Sequence, residues 1–69
     1  MLVNVRDENN TTMVLNMDSV KYLEFVEQFQ DDTDYGYVET FRFRVYFVDG
    51  SERHFYCDRS NWDKIINRF

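Results

Sequence analysis

The sequence predicts a small α+β domain: an antiparallel β-meander of four to five strands packed by one C-terminal amphipathic helix. Three observations carry this prediction. Tyr37 to Val48 alternates apolar and polar residues over twelve positions, with Phe41, Phe43, Val45 and Phe47 on one face and Thr40, Arg42, Arg44 and Tyr46 on the other. The turn-forming pair Asp49-Gly50 leads into a second β-prone run, Arg53-His54-Phe55-Tyr56-Cys57. From Ser60 the apolar period lengthens to that of a helix, with Trp62, Ile65, Ile66 and Phe69 at i, i+3, i+4 and i+7.

The register of the second hairpin follows from matching its apolar faces. A two-residue turn would set Phe55 against Arg44. Taking Val48-Asp49 as the turn and Gly50 as a left-handed bulge sets Phe43 opposite Phe55, Phe41 opposite Cys57 and Tyr46 opposite Glu52. The bulged hairpin is therefore expected. In the following helix, Ser60 is the expected N-cap, with Asp63 three residues on. The helix is too short to stand alone, so its apolar face must pack on the sheet, with Trp62 as the main anchor.

The N-terminal half reads as a first hairpin, Leu2 to Arg6 and Thr11 to Met17, joined by the polar cluster Asp7-Glu8-Asn9-Asn10. Asp18 to Gln30 supports two readings. Tyr22, Phe25, Val26 and Phe29 have helical spacing. The segment is nonetheless rich in β-branched and aromatic residues, and the long strand after it needs an antiparallel partner. A turn at Asp18-Ser19 followed by a strand is the reading taken here, with a helix as the alternative.

With 69 residues the chain forms a single domain over 1–69, since a domain of this size buries only about 60% of its unfolded surface. Seven Phe, five Tyr and one Trp compensate with aromatic area in the core. One cysteine gives no intramolecular disulfide, and the opening residues lack a signal-peptide pattern, so a cytoplasmic location is expected. No apolar run is long enough for a membrane span.

The net charge of −5 argues against general phosphate-backbone binding, and the charge is uneven. Residues 1–39 hold nine acids and two bases, net −7, while residues 40–69 hold six bases and four acids, net +2. Between Glu24 and Glu39 lie Glu24, Glu27, Asp31, Asp32, Asp34 and Glu39 with no Lys or Arg. Tyr35 and Tyr37 sit in the same stretch. A solvated hairpin tip is one reading of it. The other is a partner-binding surface made of these eight residues, since a rigid aromatic on an acidic tip supplies contact area of the kind found at interaction hot spots.

Other chemistries fail on spacing. Cys57 and His54 could supply a thiolate and a base, but residues three apart on a strand face opposite ways, so no enzyme is expected. A Ca²⁺ loop with Gly36 in sixth position would put Tyr35 fifth and Arg42 twelfth, where oxygen ligands belong. No metal and no cofactor are expected. Arg42 and Arg44 with Arg53 read as a solvated face balanced by Glu39 and Glu52, without the interleaved exposed aromatics of a nucleic-acid platform.

The order of Asn16-Met17-Asp18-Ser19-Val20, the hairpin around Val48-Asp49-Gly50-Ser51 and the helix from Ser60 resembles small FlbD/SwrD-like flagellar accessory proteins. That resemblance implies a strand-turn-strand plan ending in a helix and assigns no functional residue. The acidic segment Gln28 to Thr40 exceeds the short hairpin of that plan. By composition alone the chain is similar to small accessory and anti-defence proteins of phages and mobile elements. The function expected is a non-enzymatic acidic binder or inhibitor, a nucleic-acid mimic in charge. Its expected partner is a basic protein surface such as that of a nuclease or another nucleic-acid-binding protein, with no direct nucleic-acid or membrane contact. The alternative is a self-associating subunit, for instance a homodimer, joined through Tyr37 to Val48 either by an exposed edge or by the outer face of that strand.

Overall fold

In the computed structural model, which describes residues 1–68, the chain forms β1 (Leu2–Arg6), β2 (Thr12–Asn16), a 3₁₀ turn (Met17–Ser19), β3 (Val20–Thr33), β4 (Gly36–Phe47), β5 (Glu52–Asp58) and the helix α1 (Arg59–Arg68). The five strands make one antiparallel sheet in the order β2-β1-β5-β4-β3. The meander holds for β3-β4-β5, and the β1–β2 hairpin is attached beside β5 through one pair, Arg6 with Tyr56. No described helix is long and apolar enough to cross a membrane.

Two of the three hairpins share one turn device. In the first, Asp7 N–H donates to Thr11 O and Asn10 N–H to Asp7 O, and Asn10 has φ +62°. The β4–β5 turn repeats the pattern: Phe47 N–H donates to Ser51 O, Gly50 N–H to Phe47 O, and Gly50 has φ +91°. The β3–β4 hairpin turns instead on two residues, Asp34-Tyr35, with Thr33 paired directly to Gly36, whose φ is +108°. Each turn thus ends on a left-handed residue, which Gly and Asn tolerate best. The predicted β4–β5 register stands, with Phe43 opposite Phe55, Phe41 opposite Cys57 and Tyr46 opposite Glu52.

Residues 20–33 are a strand, which decides between the two readings of Asp18 to Gln30. The register slips at Lys21 and at Val26, each an extra residue against β4. These bulges explain the helix-like spacing. Before Val26 the inner face takes Leu23 and Phe25, but beyond it the parity reverses, so Gln28 faces inward and Phe29 outward.

The helix lies on the inner face, where Trp62 and Ile65 join Val3, Val5, Leu15, Met17, Val20, Phe41, Phe43, Val45, Phe55 and Cys57 in one core. Two expectations for the helix are corrected. Its N-terminus is capped by Asp58, whose Oδ1 accepts from Asn61 N–H at 2.9 Å, and not by Ser60: the strand runs directly into the helix, which puts Asp58 one residue ahead of the first turn. Ile66 is 44% exposed because the ten-residue helix does not reach across β3. Phe69 lies outside the described residues.

Candidate functional site

β5 pairs with β4 only between Thr40 and Tyr46, so residues 30–39 continue past the sheet as a two-stranded ribbon held by β3–β4 pairing alone. Four residues on each strand carry it about 13 Å outward. At its end Thr33 ties the turn: its hydroxyl donates to Gly36 O at 2.7 Å and accepts from Tyr35 N–H at 3.2 Å. Tyr35, between these fixed points, is 100% exposed, and Tyr37 is 75% exposed.

The eight predicted binding residues do not act as one patch. Glu24 lies 3.5 Å from Arg44 and Glu27 3.7 Å from Arg42, both on the outer face of the sheet. Asp31 lies 3.6 Å from Arg6. Glu39 accepts from Arg59 Nε at 2.7 Å and also from Gln28, and the Arg59 hydrogen bond foremost holds its carboxyl below the usual carboxylate range. Four of the six acids are therefore answered by cations of the same chain. Asp32 and Asp34, on the ribbon with Tyr35 and Tyr37, have no such partner among the described residues. Sequence could not show this division, because the matching arginines lie on other strands and on the helix.

The outer face also differs from expectation in its aromatics. Tyr22 and Tyr46 stack there at 4.3 Å, Phe29 meets the Tyr56 ring edge-on at 6.2 Å, and Arg42 lies 5.8 Å from the centre of Tyr56. Aromatics and arginines do interleave. Arg44 is nonetheless occupied, donating from Nε to His54 Nε2 at 3.0 Å and from Nη1 to Tyr46 at 3.1 Å. Arg53 is not part of this face, because it pairs with the inward-facing Val45 and sits 3.9 Å from Asp7. Thr40, expected to be solvated on this face, is 1% exposed.

His54 and Cys57 stand on opposite faces, as their spacing requires. His54 accepts through Nε2 from Arg44, which places its ring proton on Nδ1. Cys57 is a core residue, and burial is the main reason its thiol is pushed up to about 12. No group of three or more metal-ligating side chains occurs among the described residues.

Where β1 leaves β5 beyond the Arg6–Tyr56 pair, a cleft of about 300 Å³ opens at the base of the ribbon. Arg6, Asp31, Thr40, Tyr56 and Asp58 line it, with Val5 and Cys57. Arg6 and Asp31 belong to strands with β5 and β4 between them. In a flat sheet three strand spacings would separate them by roughly 14 Å. The long Arg6 side chain spans most of that gap and brings its guanidinium to 3.6 Å from Asp31, so the two form one wall-to-wall contact above β5 and β4.

No protein-family model, curated protein or solved structure gives a significant match to the chain.

Proposed function

We propose that the protein is a non-enzymatic binding module whose projecting acidic ribbon, residues 30–39, docks on a basic protein surface. The observation that carries this reading is the distribution of charge. The chain answers Glu24, Glu27, Asp31 and Glu39 with its own cations and leaves Asp32 and Asp34 beside the exposed Tyr35 and Tyr37. An acidic tip that projects from the sheet steers a basic partner, and tyrosines held by a defined turn give contact area at small entropic cost. The partner class that fits is a nucleic-acid-handling protein, whose cationic groove the ribbon would occupy in place of phosphates.

The competing reading is self-association through Tyr37 to Val48. It is less well supported, because β4 is paired on both sides between Thr40 and Tyr46. The sheet edges are β2 and β3, and the bulges at Lys21 and Val26 on β3 are the kind of irregularity that discourages edge-to-edge pairing.

Affinity capture from a cell lysate at low and high salt tests the proposal, with an Asp32→Asn/Asp34→Asn variant and a Tyr35→Ala/Tyr37→Ala variant run alongside. A basic protein retained by the unmodified chain at low salt, and lost with either variant, is the expected result. A partner retained equally by all three chains would place the contact elsewhere. A stable oligomer of the purified chain at micromolar concentration would favour self-association.

A further inference from the structure

We infer that the open edge of β3 along residues 27–33 receives a strand of the partner protein, paired antiparallel like the rest of the sheet and carrying Lys or Arg beside Asp32. The inference rests on the ribbon reading for the kind of partner and adds how the partner's backbone is held.

β3 is an edge of the sheet, and its two halves are defended differently. Over residues 20–26 the bulges at Lys21 and Val26 break the line of backbone groups. From Glu27 to Thr33 every residue pairs with β4 in unbroken register, from Glu27 with Arg42 to Thr33 with Gly36. That run has no bulge, no proline and no lysine, the usual devices that blunt an edge. The opposite edge, β2, is protected by being only five residues long.

The ribbon turn fixes which backbone groups point outward. A two-residue turn at Asp34-Tyr35 makes Thr33 and Gly36 a hydrogen-bonded pair. Such pairs alternate along an antiparallel ladder, so Asp31, Phe29 and Glu27 also bond to β4, whereas Asp32, Gln30 and Gln28 turn their N–H and C=O away from it. All three of these residues are exposed, and β4 is the only strand beside them. Among the described residues no turn, loop or side-chain group bonds to their outward backbone atoms. They form a preset row of donors and acceptors that an extended chain can complete.

Charge selects the occupant. The run holds Glu27, Asp31 and Asp32 and no base. Arg42 and Arg6 answer the first two on the outer face, and Asp32, on the inner side, is left for the incoming strand. A second copy of the chain is disfavoured, because it would set three further carboxylates along the same edge. Phe29, half-buried against Tyr56 on the outer face, favours an apolar residue beside it. The strand that fits is basic near the turn and apolar next to Phe29.

The test is an amide NMR titration of the full chain with the peptide acetyl-Lys-Lys-Thr-Val-Thr-Lys-amide, ordered to run antiparallel to residues 27–32, and with its counterpart carrying Glu for each Lys. The unmodified protein, Gln30→Ala and Gln30→Pro are compared, since proline removes the outward N–H, leaves the bonds to β4 in place and is tolerated on an edge strand. The expected result is saturable binding of the basic peptide, slowed hydrogen exchange at the Gln28, Gln30 and Asp32 amides, and no binding of the acidic peptide. Affinity should be unchanged in Gln30→Ala and about ten-fold weaker in Gln30→Pro, the order expected for one lost hydrogen bond. No binding of the basic peptide, saturation without slowed exchange at those amides, or equal binding by Gln30→Pro with preserved amide dispersion would each overturn the inference. Protection that rises with protein concentration in the absence of peptide would overturn it in favour of a second copy. The two readings fail separately. Partner capture lost in the Asp32→Asn/Asp34→Asn and Tyr35→Ala/Tyr37→Ala variants but kept by Gln30→Pro removes the edge pairing alone. Capture lost in Gln30→Pro but indifferent to those variants removes the acidic tip and keeps the edge.

Discussion

Trp62 lies flat on Phe41, with ring centroids 5.2 Å apart and planes 6° from parallel, and its edges tilt against Phe43 and Phe25 at 5.5 and 5.7 Å. Arg59, one turn earlier in the helix, sits 4.6 Å from the centre of the Phe41 ring. One indole thus ties the helix to β4 and β3. Trp62→Ala should cost about 3–5 kcal/mol. A chain of this length has a total stability of about 3–10 kcal/mol, so the variant should lose between about a third and all of it. Urea unfolding followed by circular dichroism measures this, and Trp62→Phe should keep part of the loss.

The cap assignment makes a second comparison. Asp58→Ala should destabilise the domain by about 1 kcal/mol, while Ser60→Ala should fall within a few tenths. The Asn61 N–H is the first cause that lowers the Asp58 carboxyl. A carboxyl held below its unfolded value contributes stability above that value, near 3.9, and loses it as pH falls through the folded pKa. The difference between Asp58→Ala and the unmodified chain should therefore shrink in acid, which thermal unfolding at neutral and low pH would show.

How much was legible beforehand divides along the same line as local and distant contacts. The β4–β5 register could be derived because both strands carry their apolar residues in strict alternation, and only a turn ending on a left-handed Gly50 brings Phe43 and Phe55 together. The helix could be read from Trp62 and Ile65. Its cap could not, since Asp58 and Ser60 are both good capping residues and only the exit angle of β5 decides between them. The bulge at Val26 disguised β3, because one inserted residue turns a period of two into apparent helical spacing. The pairing of Arg6 with Tyr56 spans fifty positions and depends on no local signal. For that reason the cleft, the burial of Thr40 and the internal neutralisation of Glu24, Glu27, Asp31 and Glu39 were all hidden, whereas the exposure of Tyr35 beside Asp34 followed from the turn itself.

Cys57 offers a test by pH in the alkaline range. Burial foremost, with the charge of Asp58 behind it, raises the thiol to about 12. Its unfolded value is near 8.5, so between these values the unfolded chain loses a proton that the folded chain keeps. Folded stability should fall by about 1.4 kcal/mol per pH unit more steeply than in Cys57→Ala, which has no thiol to titrate. In the native protein at neutral pH, alkylation of Cys57 should be slow and should accelerate on unfolding.

The central claim is that the ribbon, and Asp32 and Asp34 within it, forms the contact with a basic partner. Its most direct test is the dissociation constant of the purified captured partner across a range of salt, for the unmodified chain and for Asp32→Asn/Asp34→Asn. The account predicts that the variant binds about ten-fold or more weakly at low salt and that the gap narrows as salt screens the interaction. Equal affinity of the two chains at every salt concentration, with the variant fully folded, would contradict it.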